Sequence, residues 1–156
     1  MSSVCFTGHR TVDITADLEK RLTETIERLI AEGAADFYAG GAYGFDILCE
    51  NTVINLKGAY PHIRLHLVLP CSAEEQTAKW SDYLKKQYRN ILSKADSVEY
   101  VSEHYGSEAM RKRNSRLVEL ADTCVCYYNA ADRRSGTGMT VRLSKKKGIN
   151  VINLFE

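Results

Sequence analysis

Residues 36–46 read DFYAGGAYGFD. Its first half, DFYA, is a β-prone apolar run, and the next five residues hold three glycines, Gly40, Gly41 and Gly44. Asp46 then opens a stretch in which Ile47, Leu48, Val53, Ile54 and Leu56 are apolar. A buried strand, a tight glycine turn and a helix with an acidic first turn make the first half of a βαβ unit.

Working outward, the same alternation continues to both ends. Upstream, VCFTG from Val4 is a short apolar run ending in glycine. Leu18, Leu22, Ile26, Leu29 and Ile30 then share one helical face, with Thr15 as N-cap and Gly33 as the stop. Downstream, IRLHLVLP from Ile63 is a strand stopped by Pro70. Trp80, Leu84, Tyr88, Ile91 and Ala95 recur at spacings of 4, 4, 3 and 4, which predicts an amphipathic helix with Trp80 on its buried face. VEYV from Val98, a helix marked by Met110, Leu117, Val118 and Ala121, DTCVCYY from Asp122, a helix over 138–147 and a final INVINLF complete the series. Parallel strands need long crossovers, so this order predicts one Rossmann-like α/β domain over 1–156. Its parallel sheet has about six strands, with helices on both faces.

Composition agrees with that reading. The 156 residues are 44% hydrophobic and 26% charged, which excludes collagen, coiled coil and disorder. No apolar run reaches the roughly 18 residues of a membrane span, and the start lacks the basic and apolar regions of a secretory signal. The five cysteines form no CxxC and are expected to be buried, reduced thiols, with Cys124 and Cys126 on one face of a strand. A cytoplasmic protein is the expectation. Net charge is only +1, but it is unevenly spread. Between Arg111 and Lys147, ten Lys and Arg face three acids, Glu119, Asp122 and Asp132, whereas the rest of the chain holds eleven against seventeen. An anion is drawn to the C-terminal third.

In open parallel sheets ligands bind beyond the C-terminal strand ends, where the strand order reverses. The segments at that edge are Gly8-His9-Arg10, Gly40-Gly41-Ala42-Tyr43-Gly44-Phe45-Asp46 and a loop running from Arg133-Arg134-Ser135 through Gly136-Thr137-Gly138-Met139-Thr140. Glycines let backbone N–H groups approach a phosphate, and a following helix adds its positive end. Ligand phosphates are therefore expected against Gly40, Gly41 and Gly44, closed from the other side by Arg10 and Gly136–Thr137. Gly41→Val is expected to abolish binding with little loss of fold. Arg10 can grip a phosphate in bidentate fashion. His9 is either an acid–base group or a hydrogen-bonded structural residue. In Met110-Arg111-Lys112-Arg113-Asn114, Arg111 and Asn114 are the candidates to reach the ligand. Asp46 is expected to cap its helix or bind a ribose hydroxyl, and its place in a helix's first turn predicts a depressed pKa. His62, His66 and His104 lack ligand spacing, so no metal site is expected.

The GHR after the first strand, GGAYGFD, and SGTGMT followed by KKGINVI resemble the SLOG superfamily, which includes the Lonely Guy phosphoribohydrolases and DNA-processing protein A. Pro70, Gln76, Trp80, Tyr88, Ala95-Asp96 and Tyr105 are most similar to its YpsA-like branch. The resemblance implies a nucleotide-binding domain, commonly a homo-oligomer, with ligand loops at Gly8, Arg10, Gly40, Gly41, Gly44, Asp46, Gly136, Thr137 and Thr140. Lonely Guy enzymes end their last loop GGxGTxxE, and here Thr140 stands at the glutamate position.

The function expected is binding, by sensing or sequestering, of a nucleotide-derived small molecule such as an ADP-ribose or NAD derivative, without turnover. No cofactor is required, no catalytic residue is firm, and no membrane or nucleic-acid partner is expected. The alternatives are a phosphoribohydrolase or N-glycosidase using His9 or Asp46, and, behind it, single-stranded DNA binding.

Overall fold

A computed structural model describes residues 2–131 and 136–155. In chain order the elements are β1 (Ser2–Gly8), α1 (Ala16–Ala31), β2 (Ala34–Ala39), α2 (Phe45–Leu56), β3 (Arg64–Leu69), α3 (Ala73–Gln76), α4 (Asp82–Lys94), β4 (Ser97–Tyr100), α5 (Ser107–Leu120), β5 (Thr123–Tyr127), α6 (Gly136–Lys147) and β6 (Asn150–Asn153). All strand pairs are parallel, in the order β4-β3-β2-β1-β5-β6. The expected α/β Rossmann-like sheet of six strands is present.

The period-2 alternation of the strands sorts the core into two layers. Val4 and Phe6 of β1, Phe37 of β2 and Leu65 and Leu67 of β3 pack with Leu18, Leu22 and Ile26 of α1, Val53 of α2 and Ile91 of α4. On the other face, Cys5, Val68, Cys124 and Cys126 meet Leu117 and Ala121 at α5 and Val141 of α6. All five cysteines are buried free thiols. Thr15 caps α1 through a 3.1 Å bond from the Leu18 N–H. Among the described residues no helix is long and apolar enough to cross a membrane.

Three details differ from the sequence reading. A short helix, α3, follows β3, because Ser72 caps it and its four residues are too few to show a period. Trp80 lies before α4, whose N-cap is Ser81, so it is half-buried against Tyr43 and Tyr88 instead of on the helix's inner face. α6 begins at Gly136, two residues before the expected start, so Gly136, Thr137 and Gly138 are its first turn and not a loop.

Candidate functional site

The strand order places the switch point between β1 and β5. These strands pair from Val4↔Thr123 to Gly8↔Tyr127, while the chain leaves β1 for α1 on one face and β5 for α6 on the other. A crevice opens where the two connections diverge. It holds a cavity of about 480 Å³. Its walls are Thr7 to Thr11 at and beyond the end of β1, Ala42 and Asp46 around the start of α2, Met110, Arg113 and Asn114 of α5, Asn129 after β5, and Gly136 and Thr137 of α6. Of the residues expected at the ligand, Gly8, His9, Arg10, Asp46, Asn114, Gly136 and Thr137 are brought together here.

The GGAYG turn is built differently from a phosphate cradle. The Gly41 N–H donates to Glu50 Oε2 and the Ala42 N–H to Asp46 Oδ2, each at 3.2 Å. Asp46 and Glu50 are one turn apart on α2, and both are buried. The Gly41 carbonyl accepts from Gln76 Nε2 at 3.1 Å, and Gln76 Oε1 in turn accepts from the Tyr88 hydroxyl at 2.8 Å. Arg113, 5% exposed, donates to the Gly40 carbonyl through Nη1 and to Asn114 Oδ1 through Nε. The turn's polar groups are thus tied to buried side chains. Its glycines serve close packing: Gly41 has φ +71, and a Cβ there would stand 2.5 Å from Leu69 Cδ2. Gly41→Val therefore strikes the fold itself, contrary to the mild effect expected from sequence.

Two atoms of this network lack partners. Asp46 Oδ1 and Glu50 Oε1 are buried and make no hydrogen bond. Burial pushes the Asp46 carboxyl up to about 6, against the opposing pull of Arg113, the Ala42 N–H and Arg10. Burial and the neighbouring Asp46 hold Glu50 well above the ordinary carboxylate range. The depressed pKa expected of Asp46 is thus reversed, because desolvation of a fully enclosed carboxyl outweighs its place at a helix start. Asp46 lines the cavity, and its buried Oδ1 is left without a hydrogen-bond partner.

His9 is structural in its visible contacts. Its Nε2 accepts the Asn129 N–H at 2.8 Å, fixing the chain after β5, and its carbonyl accepts the Phe45 N–H that begins α2. Arg10 is exposed, with its guanidinium 5.4 Å from the centre of the Tyr43 ring. At the far wall, α6 presents its N-terminal turn, and Asn114 Nδ2 donates to the Gly136 carbonyl at 3.4 Å.

The remaining expected residues lie elsewhere. Arg111 is exposed on the outer face of α5, beside Lys112 and Glu119, because the helix turns Arg113 inward in its place. Gly40 and Gly41 do not line this cavity, and Gly44 (φ +87), against the Arg10 backbone, lines instead a neighbouring cavity over α2. Gly138 packs beside Tyr128 and Arg142. Thr140 is fully buried, and its hydroxyl donates to the Gly136 carbonyl at 3.2 Å. Arg133, Arg134 and Ser135 lie outside the described residues. Glu50 and the inward Arg113 were not singled out from sequence. The signal for Glu50 was a carboxylate four residues after Asp46, on the same face of the helix. No three His, Cys, Asp or Glu among the described residues are placed to hold a metal.

The all-parallel six-stranded sheet with helices around it defines an α/β Rossmann-like domain. The chain belongs to the YspA SLOG family (YpsA), which it matches over residues 4–154. It is similar to a UPF0398 protein of Halalkalibacterium halodurans, 29% identical over 132 residues, covering 83% of this chain and 68% of that one. YoqJ, an SPbeta prophage-derived protein of Bacillus subtilis, is 30% identical over 142 residues, covering 83% and 81%. Among solved structures, DNA processing protein A from Helicobacter pylori superposes with a TM-score of 0.68 at 21% identity. That match covers 97% of this chain but only 64% of the other, and it bears on the fold alone.

Proposed function

We propose that this domain binds a nucleotide-derived small molecule of the ADP-ribose or NAD class in the β1/β5 cleft and holds it without turnover. The observation that carries this reading is the meeting, in one cavity, of the α6 N-terminus, Arg10 and Asp46, whose buried Oδ1 has no partner. A phosphate suits the first turn of α6, where the peptide N–H groups and the helix dipole favour an anion. Arg10 adds a cation beside it. Asp46 Oδ1 then suits a ribose hydroxyl, which can donate to the ionised carboxylate or accept from the acid. With the Gly41 and Ala42 N–H groups already bonded, the phosphate belongs at Gly136–Thr137 and not on the GGAYG turn.

The test is a mass spectrum of small molecules released from the purified, denatured protein, followed by calorimetry with ADP-ribose, NAD and AMP. The expected result is a released or titratable ribose-phosphate compound whose affinity falls in Arg10→Ala. Failure of all three to bind, with nothing released, overturns the reading.

One observation favours a second reading, N-glycosidic hydrolysis. An acid with a pKa of about 6 is partly protonated near neutrality and able to protonate a leaving base. Thr140, at the position of the Lonely Guy glutamate, is buried and bonded to backbone, so Asp46 is the acid on which this reading rests. Free base released from AMP or NAD, and lost in Asp46→Asn, would establish it. The Helicobacter pylori structure is described as binding single-stranded DNA. The compact cavity formed by the described residues suits a small molecule better than a strand, which calls for a long groove of interleaved aromatic and basic residues.

A further inference from the structure

A second cavity, of about 620 Å³, runs over the outer face of α2 between the N-terminal halves of α1 and α4. Ile47 and Val53 of α2 lie in the core, while its outer face sets the half-buried Leu48 and Leu56 beside Asn51, Thr52 and Asn55. The walls combine Tyr43, Leu48 and Leu84 with the side chains of Asn51 and Asn55, whose amides make no hydrogen bond to other described residues. Arg10 and Glu19 are the charged groups that line it. Aliphatic walls, an aromatic ring and unused amides suit a flat, uncharged heteroaromatic group whose edge offers both donors and acceptors. Asparagine amides pair with such edges, and aromatic rings stack on them.

Arg10 lines this cavity and the β1/β5 cleft alike, and its guanidinium sits above the Tyr43 ring at the shared end. We propose that the groove over α2 receives the base of the nucleotide whose phosphate occupies the cleft, with Arg10 at the joint between the two lobes. The inference rests on the cleft reading above and adds where the base goes and which residues select it. Trp80, the one tryptophan, lies edge-on to Tyr43 with ring centres 5.2 Å apart, so a base reaching Tyr43 also perturbs its emission.

The experiment compares ribose 5-phosphate with AMP by calorimetry and by Trp80 fluorescence. Both ligands are expected to bind, AMP about tenfold or more tightly, since stacking one base contributes roughly 1–3 kcal/mol. AMP alone should shift the emission. Asn51→Leu removes an amide, and Asn55→Tyr fills the groove from an exposed helix position that cannot upset the core. Both should bring AMP down to the affinity of ribose 5-phosphate while leaving the latter unchanged. Equal affinities for the two ligands in wild type, or AMP affinity unmoved in both variants, overturns the groove assignment and leaves the cleft reading standing. A change of oligomeric state in Asn55→Tyr at unchanged AMP affinity likewise overturns it, giving the groove to a second copy of the chain. Binding of neither ligand overturns both readings.

Discussion

Two glycine-rich segments follow parallel strands at the same edge of this sheet, and they are put to opposite uses. At Gly40–Gly44 the backbone turns inward, and its N–H groups and carbonyls are taken up by Glu50, Asp46, Arg113 and Gln76. At Gly136–Gly138 the chain is already helical, and its first turn lines the cleft. The first has positive φ and no room for a Cβ, whereas a Cβ at Gly136 would come no closer than 3.4 Å to Asn114 Nδ2. A glycine turn after a strand therefore identifies an edge where the backbone is tightly used. Whether it holds a ligand or its own helix depends on where the nearest buried carboxylates sit.

The sharpest way to break this contrast is substitution of the glycines. Gly41→Val should cost about 4 kcal/mol or prevent folding, combining left-handed strain with overpacking against Leu69 and Tyr88. Gly136→Ala should change stability by about 1 kcal/mol or less, since alanine is favoured in helices. Urea unfolding of the two variants measures this directly. Comparable losses in both would erase the distinction.

The next effect is in pH. Asp46 titrates at about 6 in the folded protein against an ordinary 3.8, so the folded state holds its proton more firmly than the unfolded state. Its contribution is fully present below 3.8 and is lost as pH rises through 6, a fall of about 3 kcal/mol at 1.36 kcal/mol per unit. Glu50, also raised, adds to the same trend. Asp46→Asn should flatten stability between those two values, and a slope unchanged from wild type would show that the carboxyl is better solvated than its burial implies.

Smaller effects sharpen the outer boundary. Trp80→Ala should cost about 2 kcal/mol in thermal or urea melts, below the 3–5 kcal/mol of a core tryptophan, because the ring is half-buried against Tyr43 and Tyr88. Arg111→Ala should move stability by less than about 0.5 kcal/mol and leave ligand affinity intact, its side chain being on the exposed face of α5. A loss of ADP-ribose affinity in Arg111→Ala would redraw the cleft.

Much of this was legible in the sequence because strand periodicity and glycine punctuation are local signals. Thr15 and Gly33 marked the ends of α1, and the parallel six-stranded sheet followed from the βαβ alternation. The residues after β1 and at the start of α6 could be placed at one edge for the same reason. What was not legible depends on three-dimensional burial. Asp46 reads as an acid that caps its helix or binds a ribose hydroxyl with a depressed pKa, yet burial raises that pKa. Arg111 and Arg113 read alike, and only the rotation of α5 tells which one turns inward. Trp80 kept the helical spacing of Leu84 and Tyr88 although Ser81 starts the helix after it.

We place the phosphate at α6 and not on the GGAYG turn. The most direct measurement is a crystal structure with ADP-ribose. Density for a phosphate within hydrogen-bond distance of the Gly136 and Thr137 N–H groups, with a ribose hydroxyl on Asp46 Oδ1, is the predicted result. A phosphate seated on the Gly41 and Ala42 N–H groups, with Glu50 and Asp46 displaced, would contradict it.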